Sequence, residues 1–295
     1  MATVDRLSAV LERFRLSAHL FHAGPLCGLV RFDARPGRGF LHVLRRGELV
    51  VTHPPRSGLP ARVELREPAL LFYPRPLAHA FHNAPVDGAD FVCATLDFAG
   101  GAQHPLVRAL PAVTILRLAE VEGLGATVSL LFAEAGRVRC GQRLLASRLF
   151  EVLVVQLLRW MLDHPREAGL QSGLLAGLAH PGLAQALSAI HARPGAAWSL
   201  QAMAQTAAMS RSTFAATFRA HVGQTPAEYL ADWRIALVQS LLEEGMSLKA
   251  ASAQLGYASA ASLSRAFSRT LGVSPRAWLK SARAAQAARD AAARP

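Results

Sequence analysis

Cysteine is scarce in this 295-residue chain: Cys27, Cys93 and Cys140 are the three present, and no two of them stand in a CxxC spacing. That argues against a disulfide framework and a structural zinc ribbon and fits a reducing compartment. Lysine is scarcer still, with Lys249 and Lys280 alone, so arginine carries nearly all the positive charge. Long apolar runs are missing too, since the most apolar stretch, Leu149–Leu162, is broken by Glu151, Gln156 and Arg159 and is too short to span a bilayer. The opening residues, MATVDRLSAVLERFRL, set acidic residues among leucines and read as an amphipathic helix rather than a secretory leader. A soluble, cytoplasmic protein is the expectation.

Acid is also in deficit. Twenty Asp and Glu face 32 Lys and Arg, a net charge of +12 that favours an anionic partner, nucleic acid above all. Residues 1–165 carry 19 Arg against 14 acids, and residues 166–295 carry 13 basic residues against 6 acids, so the second half is modestly the more cationic.

Up to about residue 117 the pattern is that of strands. Short apolar or alternating runs such as GFLHVL, ELVVTH, ALLFYP and DFVCATLDF are separated by Pro, Gly and Asp clusters, the spacing of an antiparallel barrel or sandwich. Two helices are predicted over 119–136 and 141–163, the second apolar on so many sides that it must pack on the sheet, on a second copy, or on both. Residues 1–165 are thus expected to form one domain, 166–180 a linker, 181–283 a helical domain and 284–295 a flexible tail. A homodimer through the N-terminal half is expected, with Leu149, Val152, Leu153 and Gln156 near the contact.

The helical half contains a repeat. SRSTFAATFRAHVGQTPAEYL, from Ser210, is echoed by SAASLSRAFSRTLGVSPRAWL, from Ser259, with Phe218 matched by Phe267, Gly223 by Gly272 and Pro226 by Pro275, each 49 residues apart. In each copy a short helix, a turn and a serine N-cap lead into a second helix with two apolar inward positions; a glycine ends it and a proline opens the next. This is a helix-turn-helix used twice, joined by one helix. The outer faces of the second helices offer Arg211, Ser212, Thr213 and Arg219 in the first unit and Ala260, Ser262, Arg265 and Arg269 in the second, residues suited to base edges and phosphates.

Residues 180–283 resemble the DNA-binding domain of the AraC/XylS family of transcription regulators, whose end signature is recognisable in LGYASAASLSRAFSRTLGVSPRAWL. The resemblance implies double-stranded DNA as partner, contact with RNA polymerase and a sensor domain in front. Where the family usually has an aromatic pair, this chain has Ser262-Leu263, so the second helix is expected to grip phosphate more than read bases.

Pro68 to Asn83, PALLFYPRPLAHAFHN, resembles the second cupin motif, with Pro68 and Pro76 in place of its glycines and Pro74, His79 and Asn83 retained. Residues 5–165 resemble the cupin domain of a subgroup of AraC-type regulators that includes one responding to reactive chlorine. The implied fold is two-domain α+β: a cupin-like antiparallel β-barrel followed by helices, then an all-α double helix-turn-helix. The first cupin motif shows His42, then Leu44 in place of a ligating histidine, then Glu48. Zn²⁺ held by His79 and Cys93 with help from His42 or His82 is one expectation, an unknown small-molecule effector another, and an oxidant that consumes the Cys93 thiolate a third. Strand alternation places His79 and His82 on opposite faces unless a bulge intervenes. The competing readings are a metal-dependent cupin enzyme with a helical appendage, and a DNA-binding protein whose cupin is only a scaffold.

Overall fold

The computed structural model describes residues 4–84, 86, 88–98 and 104–292, the last eight of these by backbone only. Two compact units divide it: residues 15–171 form one, and residues 172–295 together with the first fourteen form the other.

The first unit is two facing antiparallel sheets. Strands β1 (Leu16–Leu26), β3 (Arg38–Arg46), β6 (Ala69–Tyr73), β8 (Ala89–Phe98) and β9 (Thr114–Arg117) run in the order β1-β8-β3-β6-β9. Strands β2 (Leu29–Phe32), β4 (Leu49–Thr52), β5 (Arg62–Leu65) and β7 (His79–His82) run in the order β2-β7-β4-β5. The pairing of 1-8-3-6 against 2-7-4-5 is that of a jelly roll. No ladder joins the two sheets among the described residues, so the barrel expected from sequence is instead a sandwich of two open sheets.

Between the sheets lies a core of Phe32, Phe40, Leu44, Val51, Tyr73 and Phe81 with their neighbours. Leu41, Val43, Leu70, Phe72 and Val92 alternate with the core residues along β3, β6 and β8 and are buried as well, which is why those strands read as unbroken apolar runs.

After β9 come helices α3 (Leu124–Ala135) and α4 (Gln142–Asp163); the shorter α1 (Ser8–Leu11) and α2 (Pro105–Ala109) precede them in the chain. Helix α4 lies along the otherwise free edge of β1. There the Ala18 N–H donates to Glu151 Oε1 (3.3 Å) and the Leu20 N–H to Ser147 Oγ (3.4 Å). Side chains of a helix thus cover a strand edge that would otherwise invite pairing with another chain. Leu149 and Leu153, expected at a dimer contact, are 8% and 0% exposed within the chain itself, and Gln156 Nε2 donates to the Gly123 carbonyl (3.3 Å). Only Val152 of that set faces outward, because the helix turns its other apolar sides to the sheet and to α3.

The second unit is helical: α5 (Leu174–Ala179), α6 (Pro181–Ala192), α7 (Leu200–Thr206), α8 (Arg211–Val222), α9 (Pro226–Glu243), α10 (Leu248–Gln254), α11 (Ala260–Leu271) and α12 (Pro275–Ala292). The tail expected from residue 284 is helical as far as Ala292, and the three residues after it lie outside the described residues. Helix α1 packs on α6, with Leu7, Val10 and Phe14 buried.

Candidate nucleic-acid interface and sheet interior

Helices α7 and α8 form the first helix-turn-helix. Ser199 caps α7 by accepting from the Ala202 N–H, and Ser210 caps α8 by accepting from the Thr213 N–H. Such caps are each worth about 1 kcal/mol. Met203, Ala204, Phe214 and Phe218 are buried between the helices, and the Phe218 ring meets Tyr229 of α9 edge-on at 5.5 Å. Helices α10 and α11 repeat the unit: Ser247 and Ser259 are the caps, and Ala251, Leu255, Leu263 and Phe267 the interior. Gly223 and Gly272 end α8 and α11 in left-handed conformation at φ 84° and 72°. Beyond them Thr225 and Ser274 cap the following proline-started helices.

The two turns differ. Ala208 and Gly256, the left-handed residues of the turns (φ 53° and 74°), are 48 positions apart, whereas Ser210 and Ser259 are 49 apart, so the second turn is one residue longer. Gly256 is also where the second unit meets the loop before α7. A Cβ there would stand 2.3 Å from the Gly195 carbonyl oxygen, so only glycine fits.

Arg211, Ser212, Thr213 and Arg219 are all exposed on α8, as are Arg265 and Arg269 on α11, with Ala260 and Ser262 half-buried. Neither helix contains an acidic residue. Three of the expected contact residues are already engaged: Ser212 and Thr213 hydroxyls lie 3.1 and 2.8 Å from Ser210 Oγ, and Ser262 Oγ donates to the Ser259 carbonyl (2.8 Å). The four arginines are the groups left to reach outward.

In the sheet unit, His42 and His79 approach Nε2 to Nε2 at 3.0 Å in the core. His79 Nδ1 lies 2.9 Å from the Leu77 carbonyl, which can only accept, so Nδ1 carries the proton and Nε2 is the acceptor. His42 must then donate through Nε2. That leaves His42 Nδ1 a bare acceptor, buried and, among the described residues, without a hydrogen-bond partner. Burial first, then the neighbouring His79 and His22, hold His42 well below its usual pKa, and burial lowers His79 to about 4. Both rings are neutral at pH 7. Tyr73 stacks on His79 at 4.0 Å and shares a 3.0 Å hydrogen bond with His53, and Phe21, Phe32 and Phe40 close around His42.

This geometry does not fit a zinc centre. Among the described residues no three His, Cys, Asp or Glu are placed to hold a metal, and zinc requires at least that many donors from the chain. His42 and Cys93 sit opposite one another on β3 and β8, but burial pushes the Cys93 thiol up and keeps it protonated. His82 points outward, as period-two alternation demands, and bonds to Thr52 Oγ1 at 3.0 Å. The expected set of His79, Cys93, His42 and His82 does not converge. Glu48 is exposed at the hairpin after Gly47.

A jelly roll in one unit and two capped, acid-free recognition helices in the other are the parts of a DNA-binding protein with an appended sheet domain. Residues 5–163 match the Cupin family and residues 203–281 the Helix-turn-helix domain family. An AraC-like transcription regulator of Streptomyces lividans is 33% identical over 297 residues, covering 92% of this chain and 95% of that protein. The activator RclR of Escherichia coli K12, described as RCS-specific, is 27% identical over 217 residues, covering 72% of this chain and 75% of its own. Among solved structures, the DNA-binding domain of AdpA with a target DNA is 30% identical, covering 35% of this chain and 94% of that one, with a TM-score of 0.33. The chain belongs to the family of AraC-like transcription regulators. It is a DNA-binding regulator with an N-terminal cupin domain. Among the described residues no helix is long and apolar enough to cross a membrane.

Proposed function

We propose that this cytoplasmic regulator places α8 and α11 in successive major grooves on one side of a duplex, about 34 Å apart, with α9 as the spacer. The observation that carries this reading is the duplicated, separately capped recognition helix bearing arginine and no acid. Arg211 stands in the first turn of α8, where recognition helices reach base edges, and is assigned to sequence reading; Arg219, Arg265 and Arg269 are assigned mainly to phosphate. Ser212, Thr213, Ala260 and Ser262 shape the approach. Footprinting of the full chain on the DNA upstream of its own gene tests the reading: protection of two stretches one helical turn apart is expected, and a single short stretch overturns the two-groove placement.

The sheet interior is assigned to an effector rather than to a metal. Its recognition point is His42 Nδ1, which calls for a small molecule that donates a hydrogen bond from within an aromatic setting. The chain is proposed to act as a homodimer through Leu144, Leu145 and Val152 of α4 and Leu130 of α3, which are 45–64% exposed. Contact with RNA polymerase belongs to the same reading.

A further inference from the structure

The helical unit holds a groove of about 610 Å³ between its two helix-turn-helix halves. It is lined by residues of α7, α8, α9 and α11, with Trp198 of the loop before α7. The volume falls in the ordinary range of small-molecule sites. Leu200, Met203, Leu230 and Ile235 make it apolar, with Ala215, Ala216, Ala231 and Ala266 leaving the width.

Three guanidinium groups and no carboxylate line it: Arg219 from α8, Arg269 from α11 and Arg234 from α9. Arg234 is committed to structure. Its Nε donates to the Pro194 carbonyl (2.8 Å), its Nη2 to the Ala196 carbonyl (2.9 Å), and its guanidinium lies 5.7 Å over the Tyr257 ring. Arg219 and Arg269 are different. Both are exposed and neither is in an ion pair among the described residues, although Arg219 lies near enough to Glu228 of α9 to add to the Thr225 hydrogen bonds in holding its carboxyl below the usual value.

We propose that this groove binds an amphipathic monoanion, its apolar body on α9 and its charged head between Arg219 and Arg269, and that such a ligand competes with DNA. The site is built from the helical unit alone and goes beyond the function proposed above. A bare phosphate of the duplex would satisfy the arginines but gain nothing from the leucine, methionine and isoleucine side chains of α7 and α9. A ligand with an apolar body gains from both. Because its head uses guanidinium groups from both recognition helices, those groups are withdrawn from the DNA backbone while it is bound.

The test titrates the full chain with 8-anilinonaphthalene-1-sulfonate and with N-phenyl-1-naphthylamine, the same ring system without the charge, and follows fluorescence. The sulfonate is expected to bind at least about tenfold tighter than the amine, a charge-assisted hydrogen bond to arginine being worth roughly that factor. Arg219→Gln with Arg269→Gln brings the sulfonate to the amine's affinity and leaves the amine unchanged. Ala231→Leu, which fills the groove, weakens both, and Arg265→Gln, outside the groove, changes neither. At saturation the sulfonate weakens operator binding by about threefold or more, and the double glutamine variant loses this effect. Equal affinity for the two probes, a loss in Arg265→Gln as large as in the groove pair, displacement of the sulfonate by equimolar inorganic phosphate, or unchanged operator affinity each overturns the proposal. Operator binding by the probe-free chain tests the regulator reading separately, so the two can fail independently.

Discussion

The ring of Phe14 meets that of Trp233 edge-on, 5.0 Å between centroids, and ties the start of the chain into the helical unit almost 220 residues downstream. Trp233 in turn lies 4.1 Å from His191, whose Nε2 is 2.6 Å from the Tyr229 hydroxyl, and Arg13 donates to the Ala192 carbonyl at 3.1 Å. The DNA-binding unit is therefore completed by a segment that the chain supplies before its first strand.

A fragment of residues 172–285 is accordingly expected to be incomplete. Phe14→Ala in the full chain should destabilise the helical unit by about 3 kcal/mol, the usual cost of emptying a buried aromatic position. Calorimetry resolves the two units: the transition assigned to the helices should fall while that of the sheets stays. A synthetic peptide of residues 4–15 should raise the melting temperature of the isolated fragment. No response to the peptide would show that the segment docks without contributing.

Much of the DNA-binding half was legible because its signals are local. A serine cap, a glycine in left-handed conformation and a proline at the first turn each act within a few residues, and the duplication printed them twice. The Phe14–Trp233 contact had no local sign, since nothing in MATVDRLSAVLERFRL says which apolar surface it will meet. In the sheet unit, alternation correctly separated His79 from His82, but the hydrogen-bonded pairing of His42 with His79 depends on how the two sheets face each other. The open sandwich in place of a barrel is equally a matter of strand pairing across the chain. Leu149 and Leu153 were misjudged because an apolar helix face does not reveal whether it meets its own sheet or a second copy.

Binding to DNA should fall steeply with salt. Each arginine that neutralises a phosphate contributes about 0.9 to the slope of log K against log salt. Arg265→Ala and Arg269→Ala are each expected to reduce the slope by about 1 and weaken all sequences alike, whereas Arg211→Ala should lose about 1–3 kcal/mol of discrimination between operator and random DNA. Filter binding at several salt concentrations on both DNAs separates these outcomes, and equal loss of discrimination in Arg211→Ala and Arg265→Ala would reassign the second helix as a reader.

Acid should destabilise the sheet unit through the histidine pair. His42 and His79 are neutral in the fold because burial lowers their pKa values, and in the unfolded chain they titrate near the ordinary histidine value. Below pH 6.5 the unfolded state binds more protons, so stability is fully present above that pH and is lost as pH falls toward about 4, where His79 titrates. The loss from His79 alone is on the order of 3 kcal/mol. Replacing the pair together, His42→Leu with His79→Leu, should flatten the dependence of the unfolding midpoint on pH between 6.5 and 4. A dependence as steep as in the parent chain would place its source elsewhere.

Assembly turns on which leucines of α4 face outward. Leu144, Leu145 and Val152 of α4 are 64%, 45% and 45% exposed, and Leu130 of α3 is 52% exposed. Isolated surface leucines need no explanation, but exposed apolar side chains on two helices that pack together give a second copy something to cover. Light scattering of the full chain at micromolar concentration is expected to give a dimer, and Leu144→Glu with Val152→Glu a monomer that keeps its parent circular dichroism. Leu153→Glu should behave differently, costing several kcal/mol and unfolding the sheet unit, since it forces a charge into the space between α4 and the sheet. A parent chain that is monomeric at that concentration would overturn these residues as an interface.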